Sequence, residues 1–293
     1  MPTVTTPRGV SIHYDEFGEP HHPVMVLIQG HGAHMLGWRA EFCRALAEGG
    51  YRVVRFDNRD VGLSQKFPEG GYDLSQMADD AVGLLQALGT GAVHVVGQSM
   101  GGMIAQHLAV DHPDWVLSLA LVYTAPSIDY AVGIDIIRER LTASRNPTRE
   151  DAATLYVENE KPCASTVYPQ DTVWLLELGR QMYDRCYHPA GIDRQTAAFE
   201  NSADRSELLS TITVPTTIIH GTADQLVDPA GSRALHALIE HSTLSVFPGM
   251  GHEIPKPLWE KIIAQICDNA DNAVFTDHEI PGGPATITGT ATT

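Results

Sequence analysis

The chain has 293 residues, 43% of them hydrophobic and 19% charged, enough to bury a substantial core without help from disulfides or metals. Acidic residues number 36 against 19 basic ones, and the net charge of -17 excludes a nucleic-acid or anionic-membrane surface, since phosphates need concentrated positive charge. The opening MPTVTTPRGV lacks the basic flank and apolar core of a secretory signal, and no apolar run reaches the ~20 residues that cross a bilayer, so a cytoplasmic protein without a membrane partner is expected.

After a turn at Pro7-Arg8-Gly9, residues Val10–Phe17 alternate at period two, as a half-buried strand does. The apolar run Val24–Ile28 suits a strand covered on both faces. A glycine-rich stretch and a helix over Trp38–Glu48 follow, then a strand over Tyr51–Phe56 that enters the turn DNRDVGLS at Asp57–Ser64. Leu74, Met77, Ala78, Ala81, Leu84, Leu85 and Leu88 form one helical stripe, with Asp73 placed to cap its start and Gly89 to stop it. A buried strand, Val93–Val96, leads at once into Gly97-Gln98-Ser99-Met100-Gly101-Gly102, and helical periodicity then runs through Leu108 until Pro113. Val116–Tyr123 is a further apolar strand. Successive βα units of this kind predict right-handed crossovers and a predominantly parallel sheet with helices on both faces.

From Pro126 to Thr211 the pattern is helical, over Val132–Ala143, Arg149–Asn159, Asp171–Arg185 and Arg194–Asn201, with Pro147-Thr148-Arg149-Glu150-Asp151 as a helix start. The expectation is a helical cap insertion at residues 126–211 within an α/β core made of residues 1–125 and 212–270. Strands return at Val214–His220 and Thr243–Phe247, and helices at Gly231–Glu240 and Leu258–Asp268. The tail, 271–293, holds few large apolar residues. Cys43, Cys163, Cys186 and Cys267 are scattered, without metal-site spacing, and no H-E-x-x-H segment occurs, so neither metal nor cofactor is expected.

The sharpest local signal is Gly97-Gln98-Ser99-Met100-Gly101, set between strand and helix as a nucleophile elbow requires. A phosphate loop would need a lysine that is absent, and the GxGxxG fingerprint does not match. Serine needs a base, and His252, in the loop Pro248-Gly249-Met250-Gly251-His252, is preferred over His94, His107 and His220, which read as packed or supporting residues. Asp224, just past the strand ending at His220, is the carboxylate that would orient the base; Asp228, followed by Pro229, competes as a helix cap. The order Ser99, Asp224, His252 matches the topology of this elbow. Met100 N–H and the backbone N–H of His31, in Gln29-Gly30-His31-Gly32-Ala33, are the expected oxyanion donors, with the His31 side chain as a rival catalyst. The acids of Asp57-Asn58-Arg59-Asp60 read as an ion-pair network, with a paired-carboxylate or metal centre as the alternative.

QGHG at 29–32, DNRDVGLS, VVGQSMGG, HGTAD and PGMGH together resemble the α/β-hydrolase superfamily over residues 10–268. GHGAHMLGW, the DNRDVG turn and PGMGH more narrowly resemble the aclacinomycin methylesterase group of serine esterases. The resemblance implies an α/β-hydrolase fold with a helical cap, no cofactor, a triad on Ser99, Asp224 and His252, and oxyanion donors at His31 and Met100. Asp60 replaces the glycine more common in the wider superfamily's DxRGxGxS turn, although the narrower group can have Asp. The expected function is hydrolysis of a moderately bulky organic ester or lactone, such as a natural product. The cap residues Ile134, Ile137, Trp174, Leu175, Leu178, Met182 and Tyr183 are candidates to line an apolar cavity or to seal cap to core. Serine-based amidase, carbon–carbon hydrolase, acyltransferase and perhydrolase chemistries use the same parts, and a noncatalytic ligand receptor is the rival of another class.

Overall fold

A computed structural model describes residues 1–136 and 147–273. Thr3–Thr5 (β1) and Ser11–Phe17 (β2) pair antiparallel, and β2 pairs antiparallel with Arg52–Phe56 (β4). The remaining strands, Val24–Ile28 (β3), Val93–Gln98 (β5), Val116–Val122 (β6), Thr216–Gly221 (β7) and Ser242–Phe247 (β8), extend the sheet in parallel. The strand order is β1-β2-β4-β3-β5-β6-β7-β8. This is the α/β-hydrolase fold read from the sequence; the three-residue β1 is an addition, too short to leave a periodic signal.

Alternation along β3 sends side chains to two cores. Val24, Val26 and Ile28 join one cluster with Leu74–Leu88 (α2), Met100–Asp111 (α3) and Leu235 of Pro229–Leu238 (α7). Met25 and Leu27 join the other, with Ala40–Glu48 (α1) and Trp259–Asp271 (α8). All five β3 residues are buried, which is why the run carries no polar alternation. The bounds of α2 match the predicted stripe because its ends are locally determined. Asp73 accepts from the Ser75 and Gln76 amides in a capping box, and Gly89 closes the helix in the left-handed region at φ 65°.

Between β6 and β7 lie Arg149–Glu160 (α4), Thr172–Cys186 (α5) and Pro189–Glu200 (α6). Thr148 caps α4 through a second capping box with Asp151. Helix α6 begins at Pro189, five residues before the expected Arg194, because proline at the first position starts a helix that Gly191 then obscures in the sequence pattern. The expected helix over Val132–Ala143 and the tail 271–293 lie largely outside the described residues. No described helix is long and apolar enough to cross a membrane.

Candidate active site

Ser99 joins β5 to α3 at φ 55° and ψ -126°, a conformation that L side chains avoid and that costs roughly 1–3 kcal/mol. The turn closes only over glycine. A Cβ on Gly97 would lie 2.3 Å from Gly101 O, and one on Gly101 would lie 2.3 Å from Ile28 O. Ser99 N donates to Val122 O at 3.0 Å, and the Thr124 hydroxyl donates to Ser99 O at 2.8 Å, so the elbow is tied to β6 and the residues after it.

The structure brings Ser99, His252 and Asp224 together. Ser99 Oγ is 2.8 Å from His252 Nε2, and His252 Nδ1 is 2.7 Å from Asp224 Oδ2. A carboxylate facing Nδ1 can only accept, so the proton sits on Nδ1 and the Nε2 lone pair faces the serine hydroxyl. Asp224 Oδ1 accepts from the Leu226 and Val227 amides at 2.8 and 2.9 Å. Burial pushes the Asp224 carboxyl up, but His252, His220 and the Val227 amide together hold it well below the usual carboxylate range. It is therefore ionised wherever the fold persists near neutrality.

Asp228 stands apart from this chain of bonds: it caps α7, accepting from Ala230 N at 2.7 Å. His94 is buried against Ser118, and His107 contacts Arg205 and Asp111. His220 is different. Its Nε2 lies 3.1 Å from Asp224 Oδ2 and 3.1 Å from Val227 O, both acceptors, so Nε2 carries a proton. Its Nδ1 meets Ser232 Oγ, and Ser232 reaches Thr124 O at 3.2 Å. His220 thus shares the carboxylate oxygen that the His252 imidazole uses.

The loop after β3 lies against the elbow: a Cβ on Gly30 would be 3.2 Å from Ser99 Cβ. Gln29 Oε1 accepts from Gly30 N at 2.8 Å and from Gln98 Nε2. From α6, Gln195 Oε1 accepts from Gly32 N at 2.9 Å while its Nε2 donates to Arg59 O at 2.7 Å. His31 Nε2 is 2.8 Å from Thr196 Oγ1, whose hydroxyl donates onward to Ile192 O at 3.0 Å. The imidazole of His31 is therefore engaged by the helix above, while its amide lies between two amides held by glutamine side chains. Met100 is the first residue of α3, so its N–H has no earlier helical turn to bond. Sequence reasoning missed Gln98, Gln195 and Thr196, because their partners are remote in the chain and leave no local pattern.

The acids of the DNRD turn face arginines. Asp57 takes Arg185 at 2.8 Å and the Met35 and Leu63 amides; Asp60 takes Arg194 at 2.6 Å; Arg59 pairs with Asp80 at 2.6 Å. Arg185 and Arg194 come from α5 and α6, so this turn is where those helices dock on the sheet. Asp60 sits at φ 71°, in the left-handed region that glycine adopts without strain.

A cavity of about 170 Å³ opens beside Ser99 and His252, lined among others by Trp38, Trp174, Leu175 and Trp259. A neighbouring cavity of about 180 Å³ is lined by Met182 and Tyr183. The expected cap-lining set therefore divides: Leu178 and Ile134 pack into the fold rather than line either cavity, and Ile137 lies outside the described residues. Arg39, the residue before α1, stacks 3.7 Å above the Trp174 ring and pairs with Asp171 at 2.8 Å, joining α1 to the start of α5 along the wall of the cavity beside Ser99.

The family described as serine aminopeptidase, S33, matches residues 19–256. Rhodomycin D methylesterase DauP of Streptomyces sp. (strain C5) is 27% identical, covering 91% of this chain and 97% of its own. The bifunctional esterase/perhydrolase DCH of Acinetobacter calcoaceticus is 30% identical, covering 87% and 94%. Among solved structures, an enol-lactonase from Burkholderia xenovorans LB400 superposes with a TM-score of 0.76 at 26% identity, covering 92% of this chain and 100% of that one.

Proposed function

The chain belongs to the α/β-hydrolase superfamily, in the family described as serine aminopeptidase, S33, and from that membership we propose that it cleaves a carboxylic ester through Ser99, with His252 as base and Asp224 as orienting carboxylate. The observation that carries this reading is the unbroken line of bonds from Ser99 Oγ through His252 to Asp224, at 2.8 and 2.7 Å. Ser99 Oγ attacks the carbonyl carbon as its proton passes to His252 Nε2. The oxyanion meets the Met100 and His31 amides, which are prepaid by the fold and need no reorganisation. Protonated His252 then gives its proton to the departing alcohol, leaving Ser99 acylated. Water attacks the acyl-enzyme with the same imidazole as base, and the acid leaves. Asp224 stays ionised throughout and stabilises the imidazolium. Helices α4, α5 and α6 act as the cap that closes the site over a moderately bulky organic substrate.

A second reading comes from the relative named as an esterase/perhydrolase: hydrogen peroxide in place of water would take the acyl group as a peracid. Product analysis with and without peroxide separates the two. The central test is Ser99→Ala, expected to lower ester turnover by at least about 10⁴-fold with the fold intact, alongside fluorophosphonate labelling read by intact mass and peptide mapping. Retention of the wild-type rate by that variant would overturn the assignment, and a protein that neither labels nor turns over any ester would be a receptor instead.

A further inference from the structure

Among the described residues, three other than glycine hold a positive φ: Ser99, Asp60 and Tyr123. Ser99 is the nucleophile of the reading above, and Asp60 holds Arg194 of the cap. Tyr123 follows β6, is buried and sits at φ 38°, where a bulky aromatic residue is a marked outlier. Strain of this kind persists only where the surroundings over-determine it, and such places cluster at functional sites.

Tyr123 lines the cavity beside Ser99. Its backbone N–H donates to Ile219 O at 2.7 Å, which ties it to β7. Its ring lies 4.5 Å from the His252 imidazole, centroid to centroid, tilted by 48°. Its hydroxyl is 2.6 Å from Gln98 Oε1.

The direction of each bond beyond that contact is forced. The Gly30 N–H can only donate, so the Gln29 atom it meets at 2.8 Å is the carbonyl oxygen. The same oxygen faces the Gln98 side chain, which must present its NH2 group there and turn its own oxygen toward Tyr123. The phenol is left to donate. Burial raises it well above its ordinary range and keeps that proton in place. The Gln29 amide nitrogen abuts Gly37, where a Cβ would lie only 2.1 Å away. One side chain thus spans the loop after β3 from Gly30 to Gly37, and Tyr123 stands at the head of the relay that orients it.

Resting on the Ser99 hydrolase reading, we propose that Tyr123 is a positioning residue for the oxyanion loop: its hydroxyl fixes Gln98, Gln98 fixes Gln29, and Gln29 holds the Gly30 amide beside that of His31. Gln195 holds Gly32 on the far side, so the His31 peptide is clamped through both neighbours, by the core at one and the cap at the other. Two glycines would otherwise leave it free to turn. The hydroxyl thereby acts on charge formed at the carbonyl oxygen, not on proton transfer at His252.

The test is Tyr123→Phe, which keeps the ring on His252 and removes only the donor. We expect kcat/KM for p-nitrophenyl butyrate and the rate of fluorophosphonate labelling at Ser99 each to fall about tenfold, less than the roughly 10²–10³ of a deleted donor because the amide is loosened and not lost. The inhibition constant of an alkyl trifluoromethyl ketone, which forms an anionic hemiketal on Ser99, should rise about tenfold, while that of the matching methyl ketone, bound without an oxyanion, stays within about twofold. Gln98→Leu breaks the same relay one step on, so its loss should match and the double variant should be no worse than either single. Losses that multiply to about a hundredfold in the double variant overturn the relay. So does a Tyr123→Phe protein with wild-type kcat/KM, or one that binds both ketones equally less well. Wild-type protein that neither turns over the ester nor labels at Ser99 instead removes the hydrolase reading itself, and this proposal with it.

Discussion

Replacing Asp60 with glycine sets backbone strain against a carboxylate network, and the structure supplies both sides. At φ 71°, a non-glycine residue costs roughly 1–2 kcal/mol, less for aspartate than for most, so Asp60→Gly should gain about 1 kcal/mol from relaxed backbone. Against that stand Arg194 Nε and Nη2 at 2.9 and 2.6 Å, the Phe67 amide at 2.8 Å and the Tyr72 hydroxyl at 2.7 Å. The Asp60 side chain is fully buried and that of Arg194 is 18% exposed. Breaking such a pair costs about 3–5 kcal/mol, because the surviving charge stays in a dry place. The network therefore wins by about 3 kcal/mol, or roughly 5 °C in Tm for a chain of this length. Thermal unfolding at pH 7 measures it directly. Asp60→Asn, which tolerates the left-handed backbone and keeps an acceptor but loses the ion pair, should fall between the glycine variant and wild type. An unchanged or higher Tm for Asp60→Gly would mean that strain outweighs the pair and that the account of this turn is wrong.

Acid should destabilise the protein well before its carboxylates titrate. Burial lowers His34, His94 and His107 from 6.5 to about 4. The unfolded chain binds those protons first, so stability is full above pH 6.5 and falls as pH drops toward 4, by about 1.4 kcal/mol per unit for each ring. Urea unfolding at a series of pH values checks this, and a flat profile from pH 7 to 5 refutes it. At the site, His220→Phe removes a donor from Asp224 Oδ2 but leaves the Leu226 and Val227 amides on Oδ1. A loss of about tenfold in kcat with KM unchanged is expected, recovered largely by His220→Gln; equal losses in both variants would reduce His220 to a packing residue.

Much of the fold was legible because its signals are local. The apolar run at Val24–Ile28 needs only to know that both its faces are covered, and α2 carries its own start and stop at Asp73 and Gly89. The elbow was legible for the same reason: the glycines at 97 and 101 answer clashes within a few residues and one neighbouring strand. The DNRD turn was recognised as a network, but its partners were not, since Arg185 and Arg194 lie more than a hundred residues away. Helix α6 began earlier than its periodicity suggested because a helix start is decided by one capping position, not by a stripe.

What the chain alone determined, then, was the alternation of strands and helices, the strained turn at Ser99 and the residue types able to serve it. Tertiary structure supplied the contact itself, His252 reaching that serine across 153 residues of sequence, and it alone decided that His220 shares the same carboxylate. It also decided that Gln195 and Thr196 hold the loop carrying His31, and that Gln29, Gln98 and Tyr123 join that loop to the ends of β5 and β6. The division has one physical cause. Steric and capping constraints act between near neighbours and are written in local residue order, whereas hydrogen-bond partners and cavity walls are chosen by distances that exist only once the sheet has brought its loops together at one edge.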